Sequence, residues 1–172
     1  MGFYREQILP RLTDLVLRGK ETAQLRARAA AGLSGEVLEV GFGSGLTMPY
    51  YPPAVTRVRA VDPSAVARKL AADRVAASAV PVDYAGFDAQ ALPLEDATVD
   101  HVVSILTPLC TIPSAERALA EIRRVLRPGG LSISWSMACH HRRRWPGGST
   151  GSPRSSAASS AAATSTGPST GW

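Results

Sequence analysis

Three glycines at alternate positions follow a short apolar stretch in the first third of the chain. Residues 37–45 have the sequence VLEVGFGSG. Because glycine lacks a Cβ atom, the backbone at Gly41 and Gly43 can pass close to a ligand or adopt a left-handed conformation. A helical segment at 46–51 would then direct free N–H groups at that ligand. Glu39, just before the turn, could meet a cationic group of the same ligand.

A second acid, Asp62, ends the next apolar stretch about twenty residues later. A carboxylate at that position can accept hydrogen bonds from both hydroxyls of a ribose. The glycine spacing is G-x-G-x-G, whereas dinucleotide sites have G-x-G-x-x-G. The pattern therefore predicts a nucleotide-like ligand, and it disfavours a nicotinamide-dependent oxidoreductase, which remains an alternative.

Apolar segments alternate with helical periodicity along residues 33–135. Strands are expected at 37–40, 55–61, 80–87, 99–106 and 131–135. Helices are expected at 65–77, with Ser64 as N-cap, and from 113 to 126, with Ser114 as cap. The second helix should turn four residues inward: Leu119, Ile122, Val125 and Leu126. Strand–helix alternation predicts a doubly wound, mostly parallel α/β sheet whose ligand lies at the carboxyl ends of the strands.

An N-terminal helical segment is expected over residues 1–32. Helical periodicity runs through 3–30, where Pro10 should break or kink the helix and Gly19 should separate a second one. Its apolar and polar residues sort onto two faces, with Leu12, Leu15 and Val16 on the apolar one.

In these motifs the sequence resembles the class I S-adenosylmethionine-dependent methyltransferases. The similarity covers about residues 33–130. Residues 37–45 resemble the first motif of that family, and Asp62 the acidic end of its second strand. The segments 88–96, 99–104 and 126–130 resemble its third loop, its fourth strand and the turn before its fifth strand. The segments 3–4, 48–52 and 109–113 further resemble a branch that includes small-molecule thiol methyltransferases.

The resemblance implies S-adenosylmethionine as cofactor and direct methyl displacement onto a small molecule. Gly41 and Gly43 would approach the methionine part, with Glu39 near its amino group. Asp62 would hold the ribose. The remaining implied cofactor-binding residues are Phe42, Pro63, Asp88 and Ala89 (the last two at the adenine edge) and Thr107, beside the sulfonium and the substrate. No dedicated catalytic residue is expected, because a thiol or amine can arrive deprotonated and positioning can supply much of the rate.

Composition disfavours several other classes of protein. No apolar run approaches the roughly 18 residues of a membrane span, and the N-terminus lacks a secretory pattern. We therefore expect a cytoplasmic protein. Four arginines and no acid follow residue 130, so the positive net charge of +5 belongs mainly to the tail and predicts no nucleic-acid partner. His101 is expected to be structural, and Cys139, His140 and His141 are too close in sequence to converge on one metal ion.

Residues 136–172 are expected to form a low-complexity, disordered tail. From 146 onward all residues except Arg154 and Trp172 are Gly, Ser, Thr, Ala or Pro. The resemblance predicts a helix and two further strands after the fifth, and the sequence after Trp135 indicates none, which would leave a sheet edge open. A reading-frame shift after Gly130 is one hypothesis, and the gene sequence would test it. A non-catalytic remnant with a partial cofactor site is the alternative to an active enzyme.

Overall fold

A computed structural model describes residues 9–106, 112–136 and 140–144 of the chain. Its strands are β1 (Gly35–Val40), β2 (Val55–Val61), β3 (Val82–Gly86), β4 (Val99–Leu106), β5 (Leu126–Ser136) and β6 (His140–Arg144). Its helices are α1 (Leu9–Val16), α2 (Lys20–Ala30), α3 (Ala65–Ala76) and α4 (Ala115–Val125), with a 3₁₀ turn at Met48–Tyr50. No helix of this described part is long and apolar enough to cross a membrane.

The six strands form one sheet in the order β3-β2-β1-β4-β5-β6. Strands β1 to β5 are parallel to one another, and β6 runs antiparallel to β5. Strands β2 and β3 follow one another on one side of β1, and β4 and β5 follow one another on its other side. The strand order therefore reverses between β1 and β4, which are neighbours in the sheet. The predicted doubly wound α/β fold is confirmed, and its crevice lies at the carboxyl ends of these two strands.

Helices cover both faces of the central strand, so β1 is buried on both sides. Val37 packs in one apolar cluster with Ala29 and Ala30 of α2. Leu38 and Val40 pack in the other cluster with side chains of α4. Because side chains alternate along a strand, Glu39 lies on the same face as Val37, which is the face that α2 covers.

Local signals place the helix starts correctly. The Ser64 hydroxyl accepts a hydrogen bond from the Ala67 N–H at 3.1 Å, and the Ser114 hydroxyl accepts one from the Arg117 N–H at 3.4 Å. Pro10 lies in the first turn of α1, where a missing N–H costs no helical hydrogen bond. The prediction of a helix at 46–51 is wrong. Only one 3₁₀ turn forms there, because the prolines at 49, 52 and 53 supply no N–H donors.

Two expectations about buried faces need correction. Leu119 was expected to face inward, but it is 46% exposed, because α4 buries Ala118, Ile122 and Val125 at helical spacing instead. Leu126 is buried as the first residue of β5 and not as the end of the helix. On α1 the apolar residues 12, 15 and 16 are exposed, whereas Asp14 is buried.

The strand β6 corrects the expectation that nothing after Trp135 would extend the sheet. It pairs antiparallel with β5 from Trp135–His140 to Leu131–Arg144, so the far edge of β5 is covered. Such a strand can form through main-chain hydrogen bonds, without the apolar pattern on which the sequence analysis relied. Residues 145–172, and with them most of the predicted disordered tail, lie outside the described residues.

Candidate functional site

A cavity of about 640 Å³ lies at the carboxyl ends of the strands, in the crevice between β1 and β4. Eight of the nine residues predicted to bind a cofactor line it: Glu39, Gly41, Phe42, Gly43, Asp62, Pro63, Asp88 and Ala89. Thr107 lies outside the described residues. The fold therefore brings together positions that the sequence spreads over fifty residues.

The glycine turn follows β1 and forms one wall of the cavity. Gly41, Gly43 and Gly45 have φ angles of 79°, 57° and 73°, in the left-handed region that only glycine adopts readily. A Cβ atom on Gly43 would come no nearer than 3.9 Å to another atom. The backbone conformation thus favours glycine at this position, and the space beside it stays open.

Asp62, at the end of β2, is held by the main chain. Its Oδ2 accepts a hydrogen bond from the Gly43 N–H at 2.7 Å, and its Oδ1 accepts one from the Ser64 N–H at 2.8 Å. Burial raises the pKa of the Asp62 carboxyl, and these two hydrogen bonds oppose that rise. Each carboxylate oxygen keeps a second lone pair that can accept a hydroxyl group of a ligand.

Glu39, at the end of β1, is only 2% exposed and is held by side chains. Its Oε1 accepts a hydrogen bond from the Thr47 hydroxyl at 2.7 Å, and its Oε2 accepts one from the Tyr51 hydroxyl at 2.8 Å. Burial raises the pKa of Glu39 to about 7, against the opposing effects of these two bonds and of the Arg26 charge. Glu39 can therefore exchange a proton near neutral pH.

Asp14 joins the N-terminal helix to the glycine turn, and the sequence analysis missed it. The Asp14 carboxylate is 6% exposed and accepts hydrogen bonds from Ser44 and Arg18. It also forms an ion pair with Arg74 of α3, at 3.1 Å from Nη1 to Oδ1. The only sequence signal was the i, i+4 spacing of Asp14 and Arg18, because the other partners come from distant elements.

The loop after β3 is hydrogen-bonded to both ends of α4. The Asp88 carboxylate accepts hydrogen bonds from the backbone N–H and the side-chain amide of Gln90, and these bonds lower the pKa of Asp88. Gln90 Oε1 accepts a bond from the Ser114 N–H at 3.0 Å. Arg124 of α4 donates to the Leu92 carbonyl at 3.0 Å. These contacts fix the loop that carries Asp88 and Ala89.

The remaining lining is largely apolar. It includes Leu17, Leu46, Ile105, Ile112 and Pro113. Among the described residues no cysteine or histidine lines the cavity, and His101 lies elsewhere on β4, with Nε2 at 3.5 Å from the Ser34 hydroxyl. The described lining thus offers charged and polar groups at one part of the cavity and apolar side chains at another.

Comparison with known proteins points to one family. A model of the methyltransferase domain family matches residues 38–134. The human thiol S-methyltransferase TMT1B is 34% identical over 125 residues, which are 69% of this chain and 50% of that protein. The phosphatidylethanolamine N-methyltransferase of Cereibacter sphaeroides is 36% identical over 117 residues, which are 65% of this chain and 57% of that protein.

A solved structure extends the comparison to the fold. The crystal structure of a SAM-dependent methyltransferase from Thermotoga maritima is 28% identical, with a TM-score of 0.58, over 77% of this chain and 58% of that one. The chain spans about half the length of the curated relatives it matches.

Proposed function

The chain belongs to the class I S-adenosylmethionine-dependent methyltransferases, and we propose that it transfers the methyl group of this cofactor to the thiol of a small, apolar molecule. The observation that carries the proposal is the cavity at the switch between β1 and β4, lined by the glycine turn, Glu39 and Asp62.

The polar groups of the cavity fit the cofactor's functional groups in type and order. Glu39 is a buried acceptor for an ammonium group, and Asp62 offers two carboxylate oxygens to the vicinal hydroxyls of a ribose. The open side of Gly43 lets a ligand approach the backbone between them. Asp88 and Ala89, on the loop after β3 that is hydrogen-bonded to α4, would contact the adenine edge. Pro63 and Phe42 would complete the walls of this subsite.

When bound, S-adenosylmethionine supplies a methyl group on a positively charged sulfur. The chain's residues would orient the two reactants in the cavity, because positioning alone accelerates a displacement. The acceptor sulfur would bond to the methyl carbon as the bond from that carbon to the sulfonium breaks, and the cofactor, held by Glu39, Asp62 and the glycine turn, would keep that electron pair and leave as S-adenosylhomocysteine. The thiol proton passes to solvent, since a thiol with a pKa near 8.5 is partly ionised at neutral pH.

Two observations support a thiol on an apolar molecule as the acceptor. The lining beyond the polar subsite is apolar, with Leu17, Ile105 and Ile112 among its residues. Several of the matched relatives are thiol S-methyltransferases. A cytoplasmic location, expected from the sequence, stays a prediction, and so does the partition into segments 1–32, 33–135 and 136–172.

Turnover by the full-length chain tests the proposal. The protein is incubated with S-adenosylmethionine and a panel of alkyl thiols, amines and phenols, and S-adenosylhomocysteine is quantified by mass spectrometry. We expect product with the thiols, none with Asp62→Ala and an unchanged rate with Asp73→Ala, which alters an exposed aspartate of α3.

Each other outcome contradicts a definite part of the proposal. Product with amines or phenols alone refutes the thiol acceptor. Cofactor binding without product from any acceptor supports the non-catalytic alternative. A folded chain that does not bind S-adenosylmethionine refutes the proposed function.

A further inference from the structure

One buried acid that lines the cavity has no part in the proposed transfer. Asp14 of α1 is 6% exposed, and both of its oxygens are bonded within the chain. Oδ1 accepts a hydrogen bond from the Ser44 hydroxyl and pairs with Arg74 Nη1 at 3.1 Å, while Oδ2 accepts bonds from the Arg18 guanidinium. Burial would raise the pKa of Asp14, but these partners outweigh burial and hold the pKa below its usual range. Asp14 is therefore an ionised group that holds other parts of the chain.

The glycine turn that Asp14 contacts needs such restraints. Ser44 lies between two glycines whose φ angles are 57° and 73°, and glycine has more conformational freedom than any other residue. Contacts from three elements restrict the turn. The Asp62 carboxylate accepts the Gly43 N–H at 2.7 Å, and Arg74 Nη1 donates to the Ser44 carbonyl at 2.7 Å. The Ser44 hydroxyl, bonded to Asp14, supplies the third restraint and the one that comes from α1.

Three apolar side chains of α1 face away from the core. Leu12, Leu15 and Val16 are between 47% and 66% exposed, whereas Pro10 and Asp14 line the cavity. In most helices the burial of an apolar face supplies the attachment to the core. Because much of the apolar surface of α1 stays exposed, the contacts of Asp14 carry a larger share of the attachment of this helix.

We propose that Asp14 is a positioning residue that couples α1, one wall of the cavity, to the glycine turn. This inference rests on the proposed function and adds a residue that acts on cofactor binding through Ser44. With Asp14 bonded to Ser44, the turn is already held in the conformation that leaves the space beside Gly43 open, so that binding does not have to order it. Coupling of this kind is reciprocal: a ligand that stabilises the turn must stabilise the attachment of α1 by the same factor.

A double-mutant cycle tests the route through Ser44. Titration calorimetry with S-adenosylhomocysteine compares the full-length wild type with Asp14→Ala, Ser44→Ala and the double variant. We expect Asp14→Ala to bind about 5- to 50-fold more weakly, and Asp14→Asn, which keeps one acceptor oxygen, to lose less. Because both alanine substitutions break the same link, the double variant should bind no more weakly than the weaker single variant.

Hydrogen exchange in α1 gives a readout that a merely structural role would not change. Saturating S-adenosylhomocysteine should slow amide exchange in α1 of the wild type by the same factor of about 5 to 50, and it should have little effect on α1 in Ser44→Ala. The Ser44 variant leaves α1 itself unaltered, so this result does not depend on the folding of the Asp14 variants. Asp73→Asn changes an exposed aspartate of α3 and should behave as the wild type in both measurements. Thermal unfolding establishes that each variant is folded.

The outcomes separate this inference from the proposed function. An Asp14→Ala or Ser44→Ala variant that binds within about twofold of the wild type overturns the role of Asp14, and so does a double variant whose free-energy loss is the sum of the two single losses. Equal slowing of exchange in α1 of the wild type and of Ser44→Ala overturns it as well. Each of these results leaves the methyltransferase function standing. A folded wild type that does not bind S-adenosylhomocysteine overturns the proposed function, and the role of Asp14 falls with it.

Discussion

The ends of β1 and β2 carry two acids that are neighbours in the sheet but are held in different ways. Val40 pairs with Val61, so Glu39 and Asp62 lie at the same carboxyl end of the sheet. Burial raises the pKa of both carboxyl groups. Main-chain N–H groups hold Asp62, whereas hydroxyl groups hold Glu39.

This difference determines what each acid can do. An N–H group only donates, so its partners at Asp62 require an acceptor and favour the ionised carboxylate. A hydroxyl donates or accepts, so Thr47 and Tyr51 can also accommodate a protonated Glu39. The β2 end therefore provides a fixed acceptor, and the β1 end a site whose charge can respond to pH and to a ligand.

Replacing Asp62 should give the largest effect. Asp62→Ala removes the acceptor for Gly43 and Ser64 as well as the proposed ribose contact, so affinity for S-adenosylhomocysteine should fall about 100-fold or more. Titration calorimetry measures the affinity, with Asp73→Ala as the control on an exposed aspartate. A loss below threefold would show that the β2 end is not the fixed acceptor.

The charge of Glu39 should make stability depend on pH. Its pKa is raised from 4.5 to about 7, so the stabilisation from its bound proton is complete below pH 4.5 and is lost as pH rises through about 7. Relative to Glu39→Gln, the wild type should lose about 2 to 3 kcal/mol of unfolding free energy between pH 5 and pH 8. Urea unfolding of both proteins at the two pH values checks this. Equal pH dependence of the two proteins would contradict a titrating Glu39.

Removing one hydroxyl partner of Glu39 should have a smaller effect. Tyr51→Phe or Thr47→Val takes a donor from a buried, ionised carboxylate, which should cost about 1.5 kcal/mol at pH 8 and less at pH 5, where Glu39 is neutral. The pKa of Glu39 should rise further in either variant. Urea unfolding at both pH values measures the loss, and Tyr50→Phe is the control, because its hydroxyl does not bond to Glu39. A loss that is the same at both pH values would argue against these partners stabilising the ionised form.

The smallest expected effect comes from the Ser64 side chain. Ser64→Ala removes the cap of α3 and should lower the free energy of unfolding by about 1 kcal/mol. The Ser64 N–H that binds Asp62 remains, so affinity for S-adenosylhomocysteine should stay within about twofold of the wild type. Ser114→Ala removes the equivalent cap of α4 and should cost a similar amount. A much weaker affinity in Ser64→Ala would mean that the Ser64 side chain also helps to position the Asp62 carboxylate.

The same contrast explains what the sequence could predict. The elements around Asp62 are a glycine turn, a serine cap and two apolar strands, and each of them has its own short-range sequence pattern, although Gly43 is 19 residues away from Asp62. The five parallel strands and the helices α3 and α4 were predicted for the same reason. The partners of Glu39 and Asp14 were not, because Arg26, Ser44 and Arg74 meet them only after α1, α2 and α3 have packed.

The predictions from sequence were wrong where the pattern was weak, or where either of two adjacent residues could continue the same helical stripe. Leu119 and Ala118 both continue an apolar stripe on α4, and only packing decides which of them is buried. β6 carries no strand pattern in its basic sequence, and its pairing with β5 is a main-chain interaction. Residues 48–50 showed an apolar start but lacked the donors that a longer helix needs.

The strand order has a consequence for the time at which the site can form. β1 needs β4 as a neighbour, and Val37 pairs with His101, far along the chain. Such non-local pairing is slow, because the entropy of closing a long loop is lost before any stabilising contact forms. On the ribosome, the glycine turn and Glu39 emerge early, yet their cavity can close only after β4 has been synthesised. Until then the nascent chain exposes the unpaired main-chain edge of β1 together with its apolar side chains, which makes this interval the one in which chaperone binding would matter most.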